Sequence, residues 1–241
     1  MKIAAIMAGG MDGDVESGRI GEVVAERGAE LVWFYRRYDQ GLPDVSQYDA
    51  LIVFGGEPSV YDPQLKNYFD RLADCIHQFY RADKAILGSC LGCQSIAYAF
   101  GGQVKPQGFL EYGFTSLQLC EAAADDALLK GLDSQQRLFE MHSDTFDLPA
   151  GAVPLLRGDK VINQGFRLGN KTWAFQCHFE VTPAIVDTWT RRELVGNPNH
   201  NESVVARLIQ QVDQDFNQYQ QAQTAFARTL VNRWLDVAGC S

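Results

Sequence analysis

Two short runs contain the residues whose types and spacing could do covalent chemistry: Gly88-Ser89-Cys90-Leu91-Gly92-Cys93-Gln94, and His178-Phe179-Glu180. A cysteine attacks a carbonyl carbon as its thiolate, a form favoured by a nearby imidazole and by a helix N-terminus. An imidazole serves as base and then as acid, and a carboxylate two residues further along an extended segment points to the same side, where it can orient the ring and stabilise its charge. The apolar run before Cys90 reads as the end of a buried strand. Residues 91–100 lack proline and carry Ile96, Ala97 and Phe100 at helical spacing. Cys90 is thereby placed on a sharp strand-to-helix corner, held out from the sheet as in a nucleophile elbow, and Gly88 and Gly92 keep the corner uncrowded. The N–H of Leu91 at the helix start, with that of Gly56 on a neighbouring loop, could hold an oxyanion.

Other chemistry is open to the same residue types. Cys90-x-x-Cys93 spells a redox pair, and Cys90, Cys93, Cys177 and His178 could form a zinc set. Cys93 falls inside the expected helix, so Cys93 and Cys177 are assigned to the core. His77 and His200 are read as structural. The loop Gly9-Gly10-Met11-Asp12-Gly13-Asp14 lacks a P-loop lysine and the dinucleotide spacing and reads as a plain turn, with Glu16 after it a solvated surface residue.

The elements that must position these groups begin with a buried strand at 2–8, a helical stripe of Ile20, Val23, Val24 and Ala25, and strands at 30–35 and 50–54. An amphipathic helix carrying Leu65, Tyr68, Phe69, Leu72, Ile76, Phe79 and Tyr80 then leads into the Cys90 strand. This alternation predicts an α/β fold, an open and mostly parallel sheet with helices on both faces, in which ligands collect at the carboxyl ends of the strands. From about residue 115 shorter strands at 115–119, 136–141, 153–156 and 173–177 predict a more antiparallel extension. Thr182 and Pro183 start a helix, residues 197–201 form a break, and a long helical pattern runs from 203 through Trp234. Its glutamine-rich part, 210–223, is the one compositionally biased stretch.

The chain has 241 residues, 46% of them hydrophobic, and a formal net charge of -9. That is enough for a core of one domain or two small ones, and the acidic balance argues against nucleic-acid and anionic-membrane surfaces. No apolar run is long enough to span a bilayer, and residues 1–8 are too short for a signal-peptide core. With six cysteines and no secretion signal, reduced thiols in the cytoplasm are expected.

GSCLGCQ (88–94) fits Gly-x-Cys-x-Gly-x-Gln, and with HFE (178–180) it resembles the class I, or triad, glutamine amidotransferases. FGGEPSVYD (54–62), MHSDTF (141–146) and QGFRLGN (164–170) are most similar to the glutaminase domain of GMP synthase and its free-standing relatives, so the resemblance covers roughly residues 1–190. It implies the flavodoxin-like fold of that family. It also implies attack by Cys90 on the side-chain amide of glutamine, an oxyanion held by Gly56 and Leu91, proton transfer by His178 and orientation of His178 by Glu180. Substrate binding falls to Gln94 and Gly55. His142 matches a family position near the pocket, with a structural role equally open. No metal or organic cofactor is implied. Two positions depart from the family pattern: Phe179 stands where the family has proline, and Glu57 precedes the proline that usually follows the paired glycines directly.

The expected organisation is an amidotransferase-like domain at 1–196 with a helical extension, 197–241, packed on it. Three functions compete. The first is hydrolysis of glutamine through a γ-glutamyl thioester, with a separate synthetase as possible ammonia acceptor, since no synthetase domain follows residue 190. The second uses the same triad as a γ-glutamyl peptidase or hydrolase on other small γ-glutamyl molecules, and the third is a non-catalytic binding or regulatory module.

Overall fold

The computed structural model describes residues 1–198 and 201–240. The first half alternates as its pattern requires: β1 (Lys2–Met7), α1 (Gly13–Glu16), α2 (Gly18–Glu26), β2 (Glu30–Tyr35), β3 (Ala50–Val53), α3 (Lys66–Arg81), β4 (Ala85–Ser89) and α4 (Leu91–Ala99). Then come β5 (Val104–Leu119), β6 (Gln135–Phe146), β7 (Val153–Gly158), β8 (Asn163–Leu168), β9 (Thr172–Phe175), α5 (Pro183–Glu193) and α6 (Glu202–Ala238). The nine strands form one sheet in the order β2-β1-β3-β4-β9-β8-β7-β5-β6. β2, β1, β3, β4 and β9 run parallel, and every pairing from β9 outward is antiparallel. The α/β class and the antiparallel extension agree with the sequence reading.

Strand periodicity divides the core between the two faces. Ile3, Ala5, Met7, Ile52 and Phe54 point to one face, under Ile20, Val23 and Val24 of α2 and Phe226, Leu230, Val231, Trp234 and Leu235 of α6. Ala4, Ile6, Leu51, Val53 and Ile86 point to the other, under Phe69, Leu72, Ile76 and Phe79 of α3 and Ile96 and Ala97 of α4. Full burial of each large side chain contributes about 1.5–3 kcal/mol, so Leu230, Val231 and Trp234, all at 0% exposure, bind α6 tightly to the sheet. A third cluster joins Val181, Ile185, Val186 and Trp189, around α5, to Phe114, Phe139, Val212 and Phe216.

Several expected boundaries differ. The strand expected at 115–119 is the end of the much longer β5, which carries Pro106 and an irregularity in its pairing with β6 between Pro106 and Glu111. β8 overlaps the QGFRLGN run from Gln164 to Leu168 but has no counterpart among the expected strands. β9 ends at Phe175, so residues 176–180 do not continue a regular strand; His178 makes only an isolated bridge to Phe139. Of the expected break at 197–201, Asn199 and His200 lie outside the described residues, while Asn201 caps α6 by accepting from the N–H groups of Ser203 and Val204. All six cysteines are free thiols, five of them buried and Cys120 half-buried. Among the described residues no helix is long and apolar enough to cross a membrane.

Candidate active site

Cys90 stands where β4 turns into α4, with φ of 51° and ψ of -109°, a conformation that L residues adopt only under constraint. The constraint is visible on both sides. Its N–H donates to Phe175 O at 2.8 Å, its carbonyl accepts from Gln94 N at 3.0 Å, and α4 begins at once. The turn is tight enough that a Cβ at Gly92 would lie 1.9 Å from the carbonyl oxygen of Val53. The strained cysteine is thus a product of strand, helix and neighbouring strand packing at van der Waals distance. The first N–H groups of α4, beginning with Leu91, have no intrahelical acceptor and carry the positive end of the helix dipole to the thiol.

The loops after β1 and β3 close over this corner. A Cβ at Gly56 would lie 2.4 Å from Gly9 Cα, so these two glycines let the loops touch. Glu57 ties the same loops together: its Oε2 accepts the Gly10 N–H at 3.1 Å, and its Oε1 pairs with Arg37, which donates from Nε to Gly10 O at 2.7 Å. Where the family pattern would stiffen the turn with proline, this chain uses an ion pair. Gly55 sits between the catalytic candidates, since a Cβ there would meet His178 Cε1 at 3.0 Å and Cys90 Cβ at 3.4 Å.

His178 and Glu180 come together although the segment is not a regular strand. The His178 N–H donates to Phe139 O at 2.8 Å, and the ring Nδ1 meets Glu180 Oε1 at 2.8 Å. Ser89 Oγ donates to Glu180 Oε2 at 3.0 Å, so the residue before Cys90 also fixes the carboxylate. His178 is 2% exposed and Glu180 1%. Burial alone would lower the His178 pKa, but the negative charges of Cys90 and Glu180 outweigh it and hold the imidazole well above its ordinary value. Phe179, the departure from the family proline, is buried edge-on against Phe175 and Phe226, which links this segment to α6.

Gln94 lies on the first turn of α4, and its Nε2 donates to Gln176 Oε1 at 3.0 Å and to Asp144 O at 3.3 Å. Gln176 in turn donates to Cys90 Sγ at 3.6 Å, a contact that sequence reasoning missed although Gln176 is two residues before His178. His142 faces the cavity beside Gln94 and is also built into the interior: its Nε2 lies between Glu111 Oε2 and Glu140 Oε2, at 3.1 and 3.2 Å, aimed squarely at neither. Burial pulls the His142 pKa down, and the two carboxylates more than reverse this, to about 10. Burial likewise pushes Glu140 up. Among the described residues, these three form the grouping whose ligand atoms converge within 4.8 Å, rather than the cysteines weighed as a zinc set. Cys93 and Cys177 are fully buried, with thiol pKa values raised well above normal by burial, as core residues should be.

Glu16 corrects the sequence reading. It is 7% exposed rather than solvated, because the turn at 9–14 folds back over the strand ends and α1 starts at Gly13 under an Asp12 cap. Its Oε1 accepts the N–H groups of Met11 and Asp12 at 2.6 and 2.9 Å, and its Oε2 accepts Trp189 Nε1 at 2.6 Å. Trp189 packs its ring edge against His178, with centroids 4.8 Å apart. Glu16, Cys90, His178, Glu180 and Trp189 line one cavity. No local sequence signal brings Glu16 there; it depends on α5 crossing above the β1 loop.

The family model described as glutamine amidotransferase class-I matches residues 19–193. GMP synthase [glutamine-hydrolyzing] of Porphyromonas gingivalis is 35% identical over 180 residues, covering 73% of this chain and 33% of that protein. The glutamine amidotransferase-like protein YfeJ of Salmonella typhimurium is 30% identical over 166 residues, covering 67% and 70%. The chain therefore spans about a third of the length of the GMP synthase it matches. A glutamine amidotransferase structure from Thermotoga maritima superposes with a TM-score of 0.80 over 98% of both chains at 20% identity, a likeness of fold.

Proposed function

The chain belongs to the class I glutamine amidotransferase family, and from that premise we propose that it hydrolyses the side-chain amide of glutamine through a γ-glutamyl thioester on Cys90, releasing glutamate and ammonia. The observation that carries the reading is the strained Cys90 at the head of α4, sharing a cavity with the His178–Glu180 pair held at 2.8 Å. Cys90 Sγ attacks the amide carbon, and the resulting oxyanion is held by the N–H groups of Gly56 and Leu91. His178, kept protonated by its neighbours, gives its proton to the departing nitrogen. It then takes a proton from the water that cleaves the thioester, while Glu180 holds the ring and balances its charge. Gln94, Gly55 and His142 position the substrate.

The division into a domain at 1–196 and a helical extension at 197–241 belongs to the same proposal, as does a location in the cytoplasm. A synthetase as acceptor of the ammonia belongs to the proposal too, and the likeness to GMP synthase supports it. Ammonia release from glutamine tests the reading, with Cys90→Ala as control. Release that survives in Cys90→Ala, or no release with or without added ammonia acceptors, would refute it.

A further inference from the structure

Cys90 stands between two cavities. One lies toward Gln94, has a volume of about 270 Å³ and carries the polar groups of Ser59, Gln94, His142 and Asp144; in the reaction above it suits the γ-glutamyl portion of a substrate. The other lies toward His178, with a volume of about 80 Å³, and is walled by Met7, Glu16, Phe54, Glu57, Trp189 and Arg192. A leaving nitrogen protonated by His178 departs into this second space. Ammonia is about the size of water, which needs ~10–15 Å³ of such space, so the cavity exceeds what ammonia requires by several-fold.

The wall also has a sign. Of the four carboxylates lining the cavity, Glu57 pairs with Arg37, Glu180 with His178 and Glu193 with Arg192 at 2.6 Å, which leaves Glu16 as the group that gives the wall its negative sign. The carboxylate of Glu16 is fixed there by three neutral donors, the N–H groups of Met11, Asp12 and the Trp189 indole, which orient it without cancelling its charge; Arg192 stands 3.7 Å away. Trp189, held by Glu16 and packed on His178, bounds the space beside the general acid. With the one proton from His178 an alkylamine departs neutral, and at neutral pH it takes a second proton from water within the cavity to become an ammonium cation, which this wall attracts. A leaving group with a carboxylate beside the nitrogen meets like charge.

We propose that the His178-side cavity is a leaving-group subsite for small primary amines, with Glu16 and Trp189 as its specificity-determining residues, so that γ-glutamyl amides of short alkylamines and diamines are substrates and γ-glutamyl amino acids are poor ones. The inference rests on the thioester chemistry proposed above. In balance, the Cys90 S–C bond forms as the C–N bond breaks and the amine nitrogen takes the proton of His178. Water then adds to the thioester carbon, giving its proton back through His178, and glutamate and the free thiol are regenerated.

The test measures glutamate release by the full chain from glutamine, γ-glutamylethylamide and γ-glutamylglycine. The subsite predicts that kcat/KM for the ethylamide stays within about tenfold of that for glutamine and exceeds that for γ-glutamylglycine by at least tenfold. Glu16→Gln should shrink the ethylamide-to-glycine ratio at least fivefold. The wild-type ratio decides the matter even where that variant folds poorly. Cleavage of glutamine alone, or equal cleavage of ethylamide and glycine conjugates, overturns the subsite and leaves the thioester reading standing. Absence of any γ-glutamyl adduct on Cys90 with all three compounds overturns both.

Discussion

Changing Glu180 to glutamine should slow the reaction only modestly, and changing Ser89 at the same time should nearly abolish it. In the wild type, Glu180 Oε1 faces His178 Nδ1 at 2.8 Å and Oε2 faces Ser89 Oγ at 3.0 Å. A glutamine at 180 can keep its oxygen toward Nδ1–H, because its amide N–H can then donate to Ser89, whose hydroxyl turns from donor to acceptor. The imidazole keeps the tautomer that leaves Nε2 free to act as base, and only the charge is lost. A charge-assisted hydrogen bond contributes about 1.5–3 kcal/mol and a neutral one about 0.5–1.5 kcal/mol, so the loss is about 1–1.5 kcal/mol, or roughly tenfold in kcat. With Ser89→Ala present, nothing holds the amide in that orientation. Its N–H group can face Nδ1 and drive the ring proton to Nε2, a tautomer error that costs about 10⁴ in kcat in a comparable triad. Initial rates of glutamate release for Ser89→Ala, Glu180→Gln and the double variant measure this, with thermal melting to confirm folding. A single Glu180→Gln variant already down by 10⁴, or a double variant no worse than the single, would refute the role given to Ser89.

Three further outcomes follow from the packing and the buried charges. Gly92→Ala places a Cβ 1.9 Å from Val53 O, so overpacking should cost about 1–3 kcal/mol or more and lower the melting temperature; an unchanged melt contradicts the close approach. Gln223, 2% exposed on α6, accepts from Phe139 N at 2.8 Å and donates to Val181 O at 3.3 Å. Gln223→Leu strands both backbone groups at about 1–3 kcal/mol each and should reduce kcat as well, because Phe139, whose N–H Gln223 holds, accepts the His178 N–H through its carbonyl; unchanged stability to urea together with full activity would count against this. For His142, folding raises the pKa from 6.5 to about 10, so the folded state holds a proton that the unfolded state releases. That stability is fully present below pH 6.5 and declines as pH rises toward 10, with a slope of at most about 1.4 kcal/mol per pH unit. The upward shift of Glu140 acts in the same sense, because the folded state again binds the proton more tightly. Stability measured at pH 7 and pH 9.5 should fall less in His142→Gln than in the wild type, and equal slopes would exclude the cluster as the source.

Local patterns made much of this legible. The glycine-cysteine-glycine corner announced the elbow because a strand end, a tight turn and a helix start are all short-range features, and structure places Cys90 there with a positive φ. The apolar stripe of α3 similarly marked its buried face at Phe69, Leu72, Ile76 and Phe79, although Tyr80 of the same stripe is exposed. What stayed hidden depends on contacts between distant segments. Glu16 reads as solvated until α5 brings Trp189 over it, and nothing local marks Glu111 and Glu140 as partners of His142 until β5 and β6 pair. Gln223 sits in a biased stretch of glutamines, where composition hides the one that is buried against the His178 segment. The i, i+2 argument put His178 beside Glu180, where the structure also has them, 2.8 Å apart, but for an incomplete reason: the strand has ended, and Ser89 together with the Phe139 bridge holds the geometry instead.

The central claim is that Cys90 carries a γ-glutamyl group during turnover. Mass spectrometry of the full chain quenched in acid during incubation with glutamine reads this directly. The account predicts a γ-glutamyl adduct on the peptide containing Cys90, absent from Cys90→Ala and undiminished in Cys93→Ala. An adduct on a different cysteine, or ammonia released with no adduct on Cys90 under conditions that trap one when His178→Ala slows its hydrolysis, would contradict it.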